Sequence, residues 1–204
     1  MSRLTPLIQD LLLRPLVHAW CAPFNTGAAS LPDEPVVFVA NHASHLDAPA
    51  VLAALPRSAR HRLAIAAAED YFYRRWLLGH LASVAMGTFP FPRQGRLGLE
   101  RAEALLAQGH SVLIFPEGTR SLDGRLHTFR HGVGHLLLTS GVPVVPVAIV
   151  GTHLVWPKGR RLPRRGAVRI AFGQAWRPEP HLSAAAITEE LAARCCAAAR
   201  TPAT

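Results

Sequence analysis

Cysteine is scarce in this 204-residue chain: Cys21 and the neighbours Cys195 and Cys196 are all it has. They supply neither a disulfide framework nor C-x-x-C spacing, which fits a reducing compartment and leaves them as packing residues. Charge is sparse as well, at 17% of residues against 50% hydrophobic ones. Despite that apolar bias, no unbroken run reaches the roughly 20 residues that a bilayer span needs. The nearest stretch, Gly132 to Trp156, is interrupted by Gly141, Pro143, Pro146 and Gly151 and carries His135 and His153. It divides into helix, turn and buried strand. Asp10, Arg14 and Pro15 break the opening apolar stretch, so it does not read as a signal peptide. The G-x-S-x-G elbow of serine hydrolases is missing too.

Acidic residues are the scarcer charged class, 13 against 22 Lys and Arg, for a net charge of +9. Such an excess implies acidic partners: nucleic acid, anionic lipid headgroups, or phosphate-bearing substrates such as coenzyme A. The length suits one domain with a sizeable core.

Leu4, Leu7, Ile8, Leu11 and Leu12 recur at helical spacing, and Leu16, Val17 and Trp20 resume the pattern after Pro15. Residues 1–30 are therefore expected to hold an amphipathic helix pair, lying on a membrane or packed on the core. Residues 31–204 carry the body of the fold. Its predicted strands are Val36 to Ala40, Leu63 to Ala67, Ser111 to Phe115, Val144 to Val150 and the alternating Val168, Ile170, Phe172. Predicted helices cover Ala48 to Leu55, Asp70 to Val84, Leu97 to Gln108, Thr128 to Thr139 and Ser183 to Ala199. The alternation predicts a single α/β domain with a mostly parallel central sheet flanked by helices. Chemistry in such folds gathers at the carboxyl ends of strands.

Directly after the first of these strands comes Asn41-His42-Ala43-Ser44-His45-Leu46-Asp47. A carboxylate five residues after a histidine can fix the imidazole tautomer and make it a general base. Ser44-x-x-Asp47 ahead of an apolar run also fits a capping box, and the pattern does not choose between the two. A second block, Phe115-Pro116-Glu117-Gly118-Thr119-Arg120, runs from a buried strand into a turn. Its arginine suits phosphate oxygens, although Glu117 and Arg120 would also make an ordinary surface pair. Gly87 to Arg93 is an apolar segment ending in arginine, and Val142-Pro143-Val144-Val145-Pro146 opens a strand whose ladder must be irregular or at an edge.

Together these blocks resemble the lysophosphatidic-acid/glycerolphosphate acyltransferase family, whose patterns N-H-x-x-x-x-D, G-x-x-x-x-x-R, F-P-E-G-[ST]-R and V-P-[IV]-x-P all occur, in order, between Asn41 and Pro146. Phe129-Arg130-His131-Gly132 and Val168 to Gly173 echo further family segments, while Pro90-Phe91-Pro92 departs from them. The resemblance implies a catalytic domain over 31–204 in which His42 deprotonates an acceptor hydroxyl and Asp47 orients His42. It makes Arg93, Glu117, Gly118, Thr119 and Arg120 substrate-binding positions. The implied partners are a lysophospholipid acceptor, foremost 1-acyl-sn-glycerol-3-phosphate, and an acyl thioester of coenzyme A or acyl carrier protein, with no cofactor. Another lyso-lipid or an amino-acid lipid is the alternative acceptor.

His127, His131 and His135 are four apart, yet no carboxylate sits in register and two glycines weaken the helix, so no metal site is expected. The basic stretch Lys158, Arg160, Arg161, Arg164, Arg165 and Arg169, with Trp156 and Pro157 alongside, lacks further aromatics for base stacking. It suits an anionic membrane surface rather than nucleic acid. The expected location is the cytoplasmic face of a membrane, peripheral or monotopic. A thioester hydrolase and a non-catalytic lipid-binding protein are the rival function classes.

Overall fold

The computed structural model describes residues 4–21, 24–70, 76–92 and 94–200. In chain order the elements are α1 (Thr5–Ile8), α2 (Arg14–Cys21), β1 (Phe24–Thr26), β2 (Val37–Ala40), α3 (Asp47–Ala54), α4 (Arg57–His61), β3 (Leu63–Ala68), α5 (Trp76–Met86), β4 (Thr88–Phe91), α6 (Leu97–Ala107), β5 (Ser111–Ile114), α7 (Gly132–Ser140), β6 (Val144–Val150), α8 (Thr152–Val155), β7 (Arg169–Phe172) and α9 (Ala184–Arg200). The strands form one sheet in the order β1-β7-β6-β2-β5-β3-β4. Every pairing is parallel except β6 with β7.

Both faces of this sheet are covered, so successive residues of a central strand are apolar in both directions. In β2, Phe38 and Ala40 face a core shared with α2 and α3, while Val37 and Val39 face one shared with α6, α7 and α9. β2 lies between β5 and β6, with Val39 opposite both Ile114 and Pro146. The segments that follow β2 and β5 therefore leave the sheet side by side at its carboxyl edge. That adjacency builds the site.

The apolar β6 is an interior strand, not an edge; Pro143 precedes it, and Pro146 within it is accommodated by an irregular ladder. Val147 pairs with Phe172, but the next bridge joins Val144 to Trp176, so the partner chain carries one extra residue. Pro146 sits at that bulge, where its missing N–H faces no ladder partner and its carbonyl accepts from Gly173 N at 2.8 Å. Pro90 is tolerated for a different reason, because β4 is the edge strand beside β3.

The N-terminal segment is not a helix pair broken at Pro15. It runs helical from Thr5 to Cys21, with one widened π turn over Gln9–Leu13 that admits the proline. The polarity of its first turns is inverted for a helix on a protein surface, whereas Val17 and Cys21 further on are buried. Thr5 and Gln9 are buried, and Gln9 donates to the Met86 carbonyl at 3.2 Å, while Leu4, Leu7, Leu11, Leu12, Leu16 and Trp20 are exposed. Ile8 is half-buried. Asp10 latches the helix to the body through Arg60 at 2.5 Å, Arg57 at 3.1 Å and His61 at 3.1 Å. β1, within residues 1–30, then joins the sheet beside β7.

The helix predicted from Thr128 starts only at Gly132. The preceding amides are taken elsewhere: Arg130 N donates to the Pro116 carbonyl at 3.0 Å and His127 N to Glu117 at 3.3 Å. Residues 71–75 of the segment predicted as Asp70 to Val84 lie outside the described residues, and the helix there is α5.

Candidate active site

His42 follows β2 and Asp47 opens α3, so a short turn folds the carboxylate back under the imidazole. Asp47 Oδ2 lies 2.7 Å from His42 Nδ1 and also accepts from the amides of Ala43 at 2.7 Å and Ser44 at 2.8 Å. The sequence offered a catalytic pair or a capping interaction as alternatives. The pair forms, and the same buried oxygen closes the turn before α3, whose N-cap, Leu46, has no side-chain cap bond. Ser44 Oγ completes the turn, accepting from Leu46 N at 3.1 Å and donating to the Trp156 carbonyl at 2.6 Å. With Nδ1 bound to a carboxylate, Nε2 is the ring nitrogen left for chemistry in the cavity that His42 lines. The amides of Ala43 and Ser44 are committed to Asp47 and are not available to an oxyanion.

The segment after β5 grips His42 from both sides of its backbone. His42 N donates to Glu117 Oε1 at 2.8 Å, and the His42 carbonyl accepts from Ser121 N at 2.8 Å. The imidazole stacks on the Phe115 ring, with centroids 4.3 Å apart and planes at 24°. Asn41 clasps the other neighbour, donating to the Ile149 carbonyl at 2.9 Å and accepting its N–H at 2.8 Å. Glu117 is buried, and its second oxygen accepts from His127 N. Burial pushes its carboxyl above the ordinary range, against the opposing pull of those two amides. Glu117 thus faces inward and holds loops together.

Gly118, Thr119 and Arg120 instead line a cavity of about 440 Å³ together with His42 and His45. Ile65, Ala66, Met86, Phe91 and Leu99 contribute apolar wall, while Arg120 and Arg130 from the connection between β5 and α7, and Lys158 from the segment after α8, bring positive charge. Gly118 has φ +71°, and a Cβ there would lie 2.7 Å from Arg130 Nε. The positive φ favours glycine, and the Arg130 guanidinium rests in the space the absent Cβ leaves. Sequence reasoning singled out Arg120 but gave Arg130 and Lys158 no role in the site. The signal for Arg130 was its place in Phe129-Arg130-His131-Gly132; Lys158 was visible only as one charge in a basic stretch. Arg93 lies outside the described residues.

His127 is in a loop, 3.2 Å from Ser121 Oγ and 3.3 Å from Asp123, whereas His135 is on α7. The four-residue spacing is therefore not one helical stripe, and among the described residues no group of three His, Cys, Asp or Glu is placed to hold a metal.

His45, beside the Trp156 ring with centroids 5.5 Å apart, has a pKa pushed down to about 4, first by burial and then by the positive charge of Arg120. The folded state therefore resists protonating it. The stability His45 contributes is complete above its ordinary value of 6.5 and is lost as pH falls towards about 4. We expect the melting temperature of His45→Asn to fall less steeply over that window than that of the parent chain. Parallel curves in a thermal melt series would contradict the assignment.

The His42–Asp47 pair thus stands at the carboxyl end of a central parallel strand, and His42 lines a largely apolar cavity that Arg120, Arg130 and Lys158 also line. A family model described as Acyltransferase matches residues 24–150, and the chain belongs to that family. It is 36% identical over 127 residues to a 1-acyl-sn-glycerol-3-phosphate acyltransferase of Limnanthes douglasii, covering 60% of this chain and 43% of that one. It is 34% identical over 154 residues to one of Chlamydomonas reinhardtii, covering 72% of this chain and 44% of that one. The chain thus spans less than half the length of these curated relatives. Its fold is that of the 1-acyl-sn-glycerophosphate acyltransferase PlsC from Thermotoga maritima, with a TM-score of 0.77 at 24% identity over 97% of this chain and 80% of that one.

Proposed function

We propose that the chain transfers a fatty acyl group from a coenzyme A or acyl carrier protein thioester to the free hydroxyl of a lysophospholipid, foremost 1-acyl-sn-glycerol-3-phosphate, giving phosphatidic acid. The observation that carries this reading is the His42–Asp47 pair, whose imidazole lines a largely apolar cavity that Arg120, Arg130 and Lys158 also line. The relatives named above, acyltransferases for that acceptor, support the choice of substrate.

In this mechanism His42 Nε2 takes the hydroxyl proton as the oxygen attacks the thioester carbonyl. Asp47 steadies the imidazolium, and the tetrahedral intermediate collapses as the thiolate leaves with that proton. The acid–base pair suffices, so no cofactor is called for. Glu117 positions His42, Gly118 and Thr119 shape the cavity, and Arg120 with Arg93 binds the acceptor phosphate. Purified protein, incubated with acyl-CoA or acyl carrier protein thioester and a panel of lyso-acceptors, should release thiol only when an acceptor is present. Mass spectrometry then identifies the product. Release that is independent of acceptor would make the protein a thioester hydrolase instead.

Arg120→Ala should raise the acceptor's KM far more than the donor's. A lost charge-assisted bond to phosphate is worth about 1.5–3 kcal/mol, or roughly 10–150-fold. Equal changes in both constants would argue against phosphate binding there.

The acceptor is a bilayer lipid, and we place the protein peripherally on the cytoplasmic face of a membrane. Among the described residues no helix is long and apolar enough to cross one. The outward leucines of the N-terminal helix supply an insertion surface.

A further inference from the structure

The three most exposed large apolar side chains among the described residues are not on the N-terminal helix. They are Leu154 at 77%, Leu162 at 74% and Leu122 at 73%. Leu154 is on α8, Leu162 in the basic loop after it, and Leu122 in the loop after Arg120. These segments adjoin: Gly124 packs against the His153 ring, and Arg164 N donates to the Val155 carbonyl at 2.8 Å.

The sequence pointed to Trp156 as the lipid-facing residue of this stretch. The structure turns Trp156 against the core and uses it as an anchor, with Nε1 donating to the Arg160 carbonyl at 2.9 Å. Arg160 Nε in turn donates to the Leu162 carbonyl at 2.9 Å, and Ser44 of the catalytic turn holds the Trp156 carbonyl. The loop is thereby braced, and Leu162 is presented outward by a fixed backbone. Val155 and Trp156 pack with the same core as Val17 and Cys21 of α2, so α8 and the N-terminal helix cover the same face of the sheet.

Charge on this stretch is of one sign. Lys158, Arg160, Arg161, Arg164 and Arg165 are exposed, and no Asp or Glu occurs from Gly151 to Ala175. Lys158 also lines the catalytic cavity. A solvated charged loop has no use for leucines held outward. Exposed apolar side chains interleaved with cations match an anionic bilayer, whose acyl layer takes the first and whose phosphates take the second.

We propose that α8 and residues 156–166 form a second bilayer-inserting surface, in which Leu154 and Leu162 enter an anionic membrane and the loop cations hold headgroup phosphates, so that the membrane surface meets the cavity at Lys158. The proposal rests on the acyl-transfer reading for its purpose, since it brings a lipid acceptor to the site, but binding is measured without turnover.

The test uses the full chain and sedimentation with phosphatidylcholine vesicles, with and without phosphatidylglycerol. The parent protein should sediment with the mixed vesicles at low salt and less so at high salt. Leu154→Ser/Leu162→Ser should weaken that partitioning by about tenfold or more. Its melting temperature and its turnover of a monomeric short-chain acceptor should not change, because both side chains are outside the site. Arg161→Glu/Arg165→Glu should bind weakly to mixed vesicles and be insensitive to salt. A double-serine variant that sediments like the parent would overturn the proposal, and so would a parent that stays in the supernatant, as it would if the surface served an acidic protein or a second copy. If the parent has no transferase activity but the double-serine variant still loses the vesicles, the enzymatic reading fails and the surface stands.

Discussion

Replacing His42 by alanine is expected to lower acyl transfer by about 10²–10⁴-fold or more, the usual worth of a positioned general base, while leaving the protein folded. The two parts of this expectation come from different atoms. His42 is held by its backbone, through its N–H to Glu117 and its carbonyl to Ser121, and alanine retains both bonds. The imidazole is what disappears. Asp47 loses one of three donors but keeps the Ala43 and Ser44 amides, so its buried carboxylate is not stranded. Asp47→Asn should be nearly as damaging for another reason: an amide oxygen in the place of Oδ2 still accepts all three donors but carries no charge to stabilise the imidazolium. Steady-state rates beside a thermal melt decide the matter. A soluble, folded His42→Ala protein with more than about a tenth of parent activity would remove His42 from the role of base.

The motif around His42 was legible because its parts are close in sequence, and so was the alternation of strands and helices. β6, rich in Val and Ile, is found at the bounds its composition implies. What escaped the sequence depends on contacts between distant segments. β1 is three residues long and is a strand only because β7 lies beside it. β4 contains a proline and reads as a loop until its edge position is known. The delayed start of α7 follows from amides that Pro116 and Glu117 capture, which no local periodicity reveals. At the N-terminus the heptad-like pattern was visible, but its direction was not. Only the buried Thr5 and Gln9 show that the leucines point away from the body.

Glu117 separates what a motif can say from what a structure can. Its place in Phe115-Pro116-Glu117-Gly118 suggested contact with substrate, yet both carboxylate oxygens are spent on the backbones of His42 and His127. Glutamine at this position keeps the shape but offers one acceptor and one donor where two N–H groups need acceptors. One of the two loops must then shift. A displacement of about 1 Å in a catalytic group can cost about 10²-fold, so kcat of Glu117→Gln should fall by that order with the acceptor's KM little changed. Stability should differ in its pH dependence. A carboxyl raised by burial is destabilising when ionised, so whatever stability it lends is present at low pH and is lost as pH rises through its elevated pKa. Glutamine carries no charge at any pH, so the melting temperature of the variant should fall less than the parent's as pH rises through that range. A direct substrate contact would give the reverse kinetic pattern, a raised acceptor KM with kcat preserved, and that outcome would return Glu117 to the binding surface.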